Sequence, residues 1–227
     1  MKILSIETAG NICAVALTED DNLIKEEIID DANTHSVKLM PLVDKLLKQT
    51  NTNLLDIDLF ACDIGPGSFT GIRIGVSTIK AFLDATGKKA VGITSLETLV
   101  YNLNTEDIVC SIIDAKNENA YYGFFKKEDG IYKSISDLSF DNINNIINKA
   151  KQKNKKIIFI GNGSIQYKDV IESEIENAEI ILDEEKNKLN ARNIASAAFY
   201  NKQKAADTNG LKPLYIRPSN AERIIKG

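Results

Sequence analysis

The sequence contains one succession of predicted elements twice, and this internal repeat restricts the fold more than any other feature. Each copy begins with an apolar strand that ends in a carboxylate, Glu7 in the first and Asp114 in the second. A turn, a second strand, an acidic turn and a third strand follow, and then a helix, a strand and a Gly-x-Gly-Ser turn. The predicted strands include residues 2–8, 12–17, 22–29, 57–64, 90–93 and 156–160, and the predicted helices include 34–49, 69–85 and 141–152. We therefore predict an α/β fold of two lobes, each with the order β-β-β-α-β-α.

Two such lobes are typical of the actin, hexokinase and Hsp70-like (ASKHA) architecture, in which a nucleotide lies between the lobes with its phosphates against the glycine turns. We place the boundary at residue 104, so that residues 1–104 form the N-terminal lobe and residues 105–227 form the C-terminal lobe. The last helix and the basic tail are expected to pack back toward the N-terminal lobe. Because one architecture hosts many functions, the site residues have to decide among them.

The clearest local motif is the stretch D-I-G-P-G-S-F-T-G-I-R-I-G at residues 63–75. A buried strand is predicted before it and a helix from Phe69 after it, with Ser68 as the helix cap. Unpaired backbone N–H groups at such a turn, together with the helix dipole, can form an anion site. The alternative is that Gly65 and Gly67 only allow the strand and the helix to pack closely, and the spacing alone does not decide between the two.

Gly71 and Gly75 lie four residues apart, on one face of this predicted helix. Glycine inside a helix costs roughly 1 kcal/mol relative to alanine, so something has to compensate for the pair. The compensation comes either from the chain's own sheet or from a second chain that approaches closely. The helix predicted at 34–49, with Asn33 or Thr34 as its cap, is apolar on more than one side, which indicates a helix inside a large core or one shared with a partner.

The composition fits a protein with a core of its own, since 43% of the 227 residues are hydrophobic. No apolar run approaches the roughly 18 residues of a membrane span, and the N-terminus lacks the order of a signal peptide. Cys13, Cys62 and Cys110 stand singly and are expected to be reduced core residues. We therefore expect a cytoplasmic protein without a membrane association.

The net charge of −4 argues against the chain holding a nucleic acid by itself. From residue 192 to the end, however, seven residues are basic and only Asp207 and Glu222 are acidic. This basic tail either meets an acidic partner or RNA, or is a solvated surface.

Few residues suggest chemistry. Glu7 and Asp114 would face each other across a cleft between the lobes, either to position Mg²⁺ or a water or to accept hydrogen bonds from backbone N–H groups at the strand ends. His35 is the only histidine, and no histidine or cysteine residues stand at metal-binding spacing, so no metal is expected. Ser68 lacks a nucleophile elbow, and no P-loop motif is present. We predict no catalytic residue.

Residues 63–75 resemble the signature G-P-G-S-F-T-G-x-R-x-G of the TsaB family, also called YeaZ. The segment from His35 to Leu47 is similar to the family's H-x-x-x-L-x-P-x-I-x-x-L-L helix. Further similarities lie, in order, at residues 3–8, 94–97, 113–116 and 213–217, followed by Ala221 and Glu222. Three positions depart from the pattern, since Glu7 stands where many members have Asp, Ala9 where Ser is common and Lys116 where Arg is usual.

The resemblance implies an actin-like paralogue of TsaD, the catalytic subunit that adds threonylcarbamoyl to N6 of adenosine 37 in tRNAs that decode ANN codons (t6A). It implies a non-catalytic scaffold that binds TsaD as a heterodimer through N-terminal-lobe helices and helps to recruit the ATPase TsaE in a ternary complex. Alone, such a subunit forms a homodimer, and it meets tRNA only indirectly. It has no cofactor of its own, because ATP and Mg²⁺ act in the assembled complex.

A hypothesis of another class is an ATP-dependent small-molecule kinase or ATPase of the same fold, with Glu7 and Asp114 at the magnesium ion. Two sets of residues separate the hypotheses. The predicted partner interface consists of His35, Val37, Met40, Val43, Leu47, Phe69, Thr70, Gly71, Arg73, Ile74, Gly75 and Thr78. The predicted nucleotide cleft, vestigial in the scaffold hypothesis, consists of Glu7, Thr8, Gly65, Gly67, Ser68, Asp114, Gly161 and Gly163.

Overall fold

A computed structural model describes residues 1–30 and 35–217 of the protein, and the chain divides into two compact units. Unit 1 consists of Met1–Thr98 and Leu189–Leu214, and unit 2 consists of Leu99–Lys188 together with the chain from Tyr215. The predicted caps Asn33 and Thr34 lie outside the described residues, as does the tail from residue 218 with Ala221 and Glu222 of the closing motif.

Strands and helices alternate along much of the chain. Up to residue 100 they are β1 (Lys2–Glu7), β2 (Cys13–Glu19), β3 (Asn22–Ile29), α1 (His35–Gln49), β4 (Leu59–Asp63), α2 (Phe69–Thr86), β5 (Lys89–Ile93) and α3 (Ser95–Val100). They continue as β6 (Ile108–Asp114), β7 (Asn119–Glu128), β8 (Ile131–Ser134), β9 (Ser139–Asn142), α4 (Ile143–Lys151), β10 (Ile157–Ile160), α5 (Asn162–Gln166), α6 (Lys168–Glu174), β11 (Ala178–Ile180) and α7 (Ala191–Tyr200). Short 3₁₀ helices lie at Leu54–Asp56 and Lys202–Lys204.

Unit 1 is built on a five-stranded sheet in the order β3-β2-β1-β4-β5. Strands β1 to β3 are joined by short turns and pair antiparallel, whereas β4 and β5 follow helices and run parallel to β1. Helices α1 and α2 pack on one face, where Leu46 and Ile79 share a buried core with Leu4 of β1. Helix α7 covers the other face, where Ser5 Oγ donates to the Ala191 carbonyl oxygen at 2.7 Å. Strands β1, β2 and β4 are therefore covered on both sides, which explains their continuous apolar runs, whereas the edge strand β3 has no buried residue.

Unit 2 is built on a second sheet in the order β11-β10-β6-β7-β8, with β9 paired to β7. Strands β6, β10 and β11 run parallel, and β7 is antiparallel to its three neighbours. Helix α4 buries Ile146 and Ile147 in the core that contains Phe159. Asn142 caps this helix, because its side-chain oxygen accepts a hydrogen bond from the Asn144 N–H at 3.0 Å.

The predicted α/β repeat is confirmed, since each unit has the order of strands, helix, strand and helix that the sequence indicated. Unit 1 adds β5, most of α3 and α7, and unit 2 adds β9, α6 and β11. Strand β3 has the bounds predicted for it. The helix predicted at 141–152 is shorter and begins at Ile143, because the residue before it caps the helix from outside.

Candidate functional site

The turn between β4 and α2 uses its own backbone N–H groups. The Gly65 N–H donates to Asp63 Oδ1 at 2.6 Å, and the Ser68 N–H donates to the Ala9 carbonyl oxygen at 2.9 Å. The Gly71 N–H donates to Ser68 Oγ at 3.2 Å, so Ser68 caps α2 as predicted. Because these three N–H groups already have acceptors, the turn offers an anion fewer donors than the sequence suggested.

The glycines of this segment bring α2 against the end of β1. An ideal Cβ on Gly67 would lie 2.5 Å from the Ala9 carbonyl oxygen, and one on Gly71 would overlap the carbonyl oxygen of Thr8. A Cβ on Gly75 would lie 2.6 Å from Thr8 Oγ1, and this hydroxyl donates to the Gly71 carbonyl oxygen at 2.8 Å. The chain's own strand therefore fills the space beside both helix glycines and compensates for their cost.

Two buried carboxyl groups lie next to this turn, because the neighbouring parallel strands β1 and β4 end in Glu7 and Asp63. Glu7 Oε1 accepts from the Gly10 N–H at 2.7 Å, and Asp63 Oδ1 accepts from Ser95 Oγ at 2.7 Å. Burial raises the pKa of Asp63 to about 6, although hydrogen bonds from Ser95, Glu7 and Gly65 lower it. Burial also raises the pKa of Glu7 well above its usual range, and the charge of Asp63 raises it further. Negative charge at this place disfavours a bound phosphate.

Unit 2 has a second glycine turn, at the start of α5. An ideal Cβ on Gly161 would overlap the Ile112 carbonyl oxygen, and one on Gly163 would lie 2.5 Å from Ile112 Cγ2. The Gly161 N–H donates to Asn187 Oδ1 at 2.6 Å, and the Ser164 hydroxyl donates to the Gly161 carbonyl oxygen at 2.7 Å. These glycines also allow close packing on a strand, here β6.

Asp114 ends β6 and is held within its own unit. Its Oδ1 accepts from the Tyr167 hydroxyl at 2.8 Å and from the Lys116 N–H at 3.1 Å. Its own N–H donates to Asn162 Oδ1 at 3.0 Å. Burial and then the hydrogen bond to Asp114 raise the pKa of Tyr167 to about 12. These contacts are those of a strand-end carboxylate that accepts from nearby groups, one of the two interpretations that the sequence left open.

An exposed apolar surface lies on α1 at Val37, Met40 and Pro41, which we call the α1 face. Val37 is 73% exposed and Met40 is 50% exposed, and Pro41 is exposed as well. The spacing i, i+3, i+4 places the three on one side of the helix. Helix α2 contacts α1, and its residues Thr70 and Arg73 are exposed.

The residues predicted for partner binding differ in exposure. Val37, Met40, Thr70 and Arg73 are exposed, and Leu47, Phe69, Ile74 and Thr78 are partly exposed. His35, Val43, Gly71 and Gly75 are buried. These last four are covered within unit 1. For all twelve residues the interface stays a prediction, as does a nucleotide cleft between the two halves of the chain.

The described part of the chain was also compared with what a metal site, a reactive thiol and a membrane-spanning helix require. Residues 1–30 and 35–217 contain no group of three or more His, Cys, Asp or Glu side chains placed to hold a metal ion. Cys13, Cys62 and Cys110 are all buried, and burial raises the pKa of the Cys13 thiol to about 11. Among the same residues, no helix combines the length and the apolar composition needed to cross a bilayer.

The proximity of Glu7 and Asp63 was not predicted, since the sequence set Glu7 opposite Asp114. A signal for it was present, because each of the two is a carboxylate at or near the end of an apolar run. The order along the chain does not identify the two strands as neighbours, because β2, β3 and α1 lie between β1 and β4 and the parallel pair is therefore not one of sequential strands. Two neighbouring parallel strands end at the same edge of the sheet, which brings their last residues together.

Comparison with known proteins agrees with these features. The model of the family TsaD, tRNA N6-adenosine threonylcarbamoyltransferase, matches residues 24–223. A Bacillus subtilis protein named tRNA threonylcarbamoyladenosine biosynthesis protein TsaB is 30% identical over 224 residues, which are 98% of this chain and 96% of that protein. The chain belongs to the TsaB family. The family that residues 63–75 suggested is thereby confirmed.

Solved structures confirm the fold. A crystal structure of a Pseudomonas aeruginosa protein with similarity to peptidase YeaZ has a TM-score of 0.80 at 20% identity, over 95% of this chain and 99% of that chain. The ROK hexokinase from Thermus thermophilus has a TM-score of 0.54 at 8% identity, over 89% of this chain and 99% of that chain. This member of the TsaB family therefore shares its ASKHA-type fold with sugar kinases, and at such low identity the likeness speaks for the fold alone.

Proposed function

We propose that this chain is a non-catalytic scaffold subunit in the cytoplasmic biosynthesis of threonylcarbamoyladenosine (t6A) in tRNA. It binds the catalytic subunit TsaD through exposed parts of α1 and α2, helps to recruit the ATPase TsaE, and forms a homodimer when alone. It meets tRNA only within the complex, where ATP and Mg²⁺ also act. Membership of the TsaB family supports this role, because the Bacillus subtilis relative is named for the same biosynthesis.

The observation that carries the proposal is the α1 face. Val37 and Met40 are large apolar side chains that the described chain leaves exposed, and together with Pro41 they follow one side of a helix. Burial of such side chains stabilises a complex by about 1.5–3 kcal/mol each. Neighbouring charges on α1 are paired within the chain, Lys45 with Glu27 and Lys48 with Asp44. An apolar helix face of this kind suits a protein partner better than a nucleic acid.

The geometry of the glycine turns supports a non-catalytic role. N–H groups of both turns donate to acceptors of the same unit, and Glu7 and Asp63 are buried beside the first turn. Asp114 accepts hydrogen bonds from its own unit. A kinase or ATPase of this fold would need these groups for phosphates and magnesium, so the second hypothesis has less support.

The test is complex formation in solution. We would mix the chain with TsaD and measure the mass of the complex by size-exclusion chromatography with light scattering. The variant carries Val37→Glu and Met40→Glu together, which place two charges on the α1 face. We expect the wild type to co-elute with TsaD, and the variant to remain folded by circular dichroism without binding.

The control is Leu182→Glu, which places the same charge at an exposed apolar residue of unit 2. It should bind TsaD like the wild type. The proposal would be abandoned if the wild type did not bind TsaD, or if the double variant bound as tightly as the control. Saturable binding of Mg·ATP to the isolated chain, measured by calorimetry and lost in Asp114→Ala, would favour the kinase or ATPase instead.

A further inference from the structure

Each of the two buried carboxyl groups of unit 1 has one oxygen satisfied and one left over. Glu7 Oε1 accepts from Gly10, and Asp63 Oδ1 accepts from Gly65 and Ser95. Glu7 Oε2 and Asp63 Oδ2 are buried, and no N–H or O–H group of the described residues donates to either. The two carboxyl groups lie within hydrogen-bonding distance of each other. The two carboxyl groups therefore interact in a buried place, and each has one oxygen to which no other group of the described residues donates.

Two ionised carboxylates in such a contact would repel each other with little solvent to screen them. The other titratable groups near them are the thiols of Cys13 on β2 and Cys62 on β4, whose pKa values are raised by burial and by these same carboxylates. The charge of Lys38 on α1 lowers the pKa of the Cys13 thiol. The main causes of the pKa shifts of Glu7 and Asp63 include no basic side chain of the described residues. A proton is the smallest species that satisfies both leftover oxygens, because it turns one carboxyl group into a donor.

We propose that Glu7 and Asp63 share a single proton in the folded protein at neutral pH, with the Glu7 carboxyl group donating from Oε2 to Asp63 Oδ2. The shared proton joins three segments of unit 1. Glu7 holds the β1–β2 turn through Gly10, while Asp63 holds the glycine turn through Gly65 and the start of α3 through Ser95. This structural proton is independent of the proposed partner binding.

The sign of the pH dependence follows from the two pKa values. Both are raised in the folded state above the ordinary values of 4.5 for Glu and 3.8 for Asp, so the folded state binds more protons than the unfolded state. The stabilisation is complete below those ordinary values and is lost as the pH rises. Each retained proton increases the unfolding equilibrium constant by up to about tenfold per pH unit. The loss begins above pH 4 and continues past the Asp63 pKa of about 6.

Glu7→Gln tests the proposal, because the amide keeps an oxygen for Gly10 and places a fixed N–H donor where the proton would lie. We would measure urea unfolding of wild type and variant from pH 6 to pH 9. The unfolding equilibrium constant of the wild type, divided by that of the variant, should rise by about tenfold per pH unit for as long as Glu7 keeps its proton in the folded state. Asp44→Asn, which removes an exposed carboxylate of α1, is the charge-matched control and should give a ratio that stays flat. Titration of groups that do not interact with Glu7 affects all three proteins alike and cancels in the ratio, and Asp63, with a pKa of about 6, titrates mainly at the acid end of this range.

A second measurement compares infrared spectra of the wild type and Glu7→Gln, both with ¹³C-labelled glutamate. At pH 7 the wild type should show the C=O band of a protonated glutamic acid that Glu7→Gln lacks, because the protonated share of Glu97, whose pKa burial raises to about 7, is common to both proteins and cancels in the difference. A ratio that is flat for Glu7→Gln, or the absence of this band in folded protein, overturns the proposal. So does a rise in wild-type stability on adding Mg²⁺ at pH 8 that Glu7→Gln lacks, because a cation would then occupy the place of the proton.

Discussion

The contact between Thr8 and Gly75 predicts strong coupling between two substitutions. In Gly75→Ala, the new Cβ would lie 2.6 Å from Thr8 Oγ1, and such overpacking costs about 1–3 kcal/mol. The better helix propensity of alanine offsets about 1 kcal/mol of this cost. Thr8→Ala alone loses the hydrogen bond to the Gly71 carbonyl oxygen, which costs about 1 kcal/mol. With both changes, the nearest remaining atom outside Thr8 is Ile6 Cγ2 at 3.7 Å, an ordinary contact. The double variant should therefore be more stable than the sum of the single changes by about 1–3 kcal/mol.

A matched cycle at Gly71 should behave differently. Its added Cβ would overlap the backbone carbonyl oxygen of Thr8, which Thr8→Ala leaves in place. Gly71→Ala should cost about 3 kcal/mol or more, and Thr8→Ala should not relieve it, so the two effects should add within about 0.5 kcal/mol. Ala81→Gly, on the exposed side of α2, calibrates the helix propensity and should cost about 1 kcal/mol.

Both cycles can be measured by urea unfolding followed by circular dichroism, with the slope checked for constancy. A coupling below about 0.5 kcal/mol at Gly75, or relief of Gly71→Ala by Thr8→Ala, would refute the reasoning. If Gly71→Ala and Gly75→Ala were as stable as the wild type and lost only TsaD binding, the glycines would serve a partner instead of the chain's own strand.

Three further predictions concern unit 1. Ser68→Ala removes the cap of α2 and should lower the free energy of unfolding by about 1 kcal/mol, whereas Ser68→Asp, which keeps an acceptor, should retain most of it in urea unfolding. Ser5→Ala removes the hydroxyl that donates to the buried Ala191 carbonyl oxygen and should cost about 1 kcal/mol, with faster hydrogen exchange in α7. Burial raises the pKa of Glu97 to about 7, although the charge of Lys204 lowers it. The folded state therefore binds more protons than the unfolded state, and the free energy of unfolding should fall by at most about 3 kcal/mol as the pH rises from 4.5 to 7. Thermal unfolding at pH 5 and pH 8 should show a smaller fall for Glu97→Gln than for the wild type.

The sequence predicted the parts of the fold that depend on local patterns. Strand β3, the glycine turn and the Ser68 cap all follow from neighbouring residues and were found where expected. Helix α7 was not delimited, because its buried side is made mostly of alanines, which give a weak hydrophobic signal. Its position depends on contacts such as that between Ser5 and Ala191, which are 186 residues apart in the sequence. Local periodicity carries no information on such a pairing.

Helix α1 shows why the candidate site could be predicted only in part. The sequence offered two explanations for a helix that is apolar on more than one side, a large core or a partner. In the structure the core explanation holds for one side, since Val43 and Leu46 are buried in unit 1, while Val37 and Met40 on another side are exposed, which leaves the partner explanation open for them. Periodicity identified the apolar positions, but only the placement of β2 and β3 beneath the helix decides which of them remain available to a partner.

The glycine turn is a second place where the sequence left two interpretations open and the structure favours one. Its glycines were consistent with an anion site and with close packing, because both need a backbone without side chains. What separates the two is the direction of the N–H groups, and those of Gly65 and Ser68 donate to Asp63 and Ala9 of the same unit. A requirement for packing against Thr8 is enough to exclude larger residues at Gly71, whether or not a phosphate ever binds. A match to this motif is therefore evidence of how α2 meets β1, and the search for function moves to the exposed side of the helices.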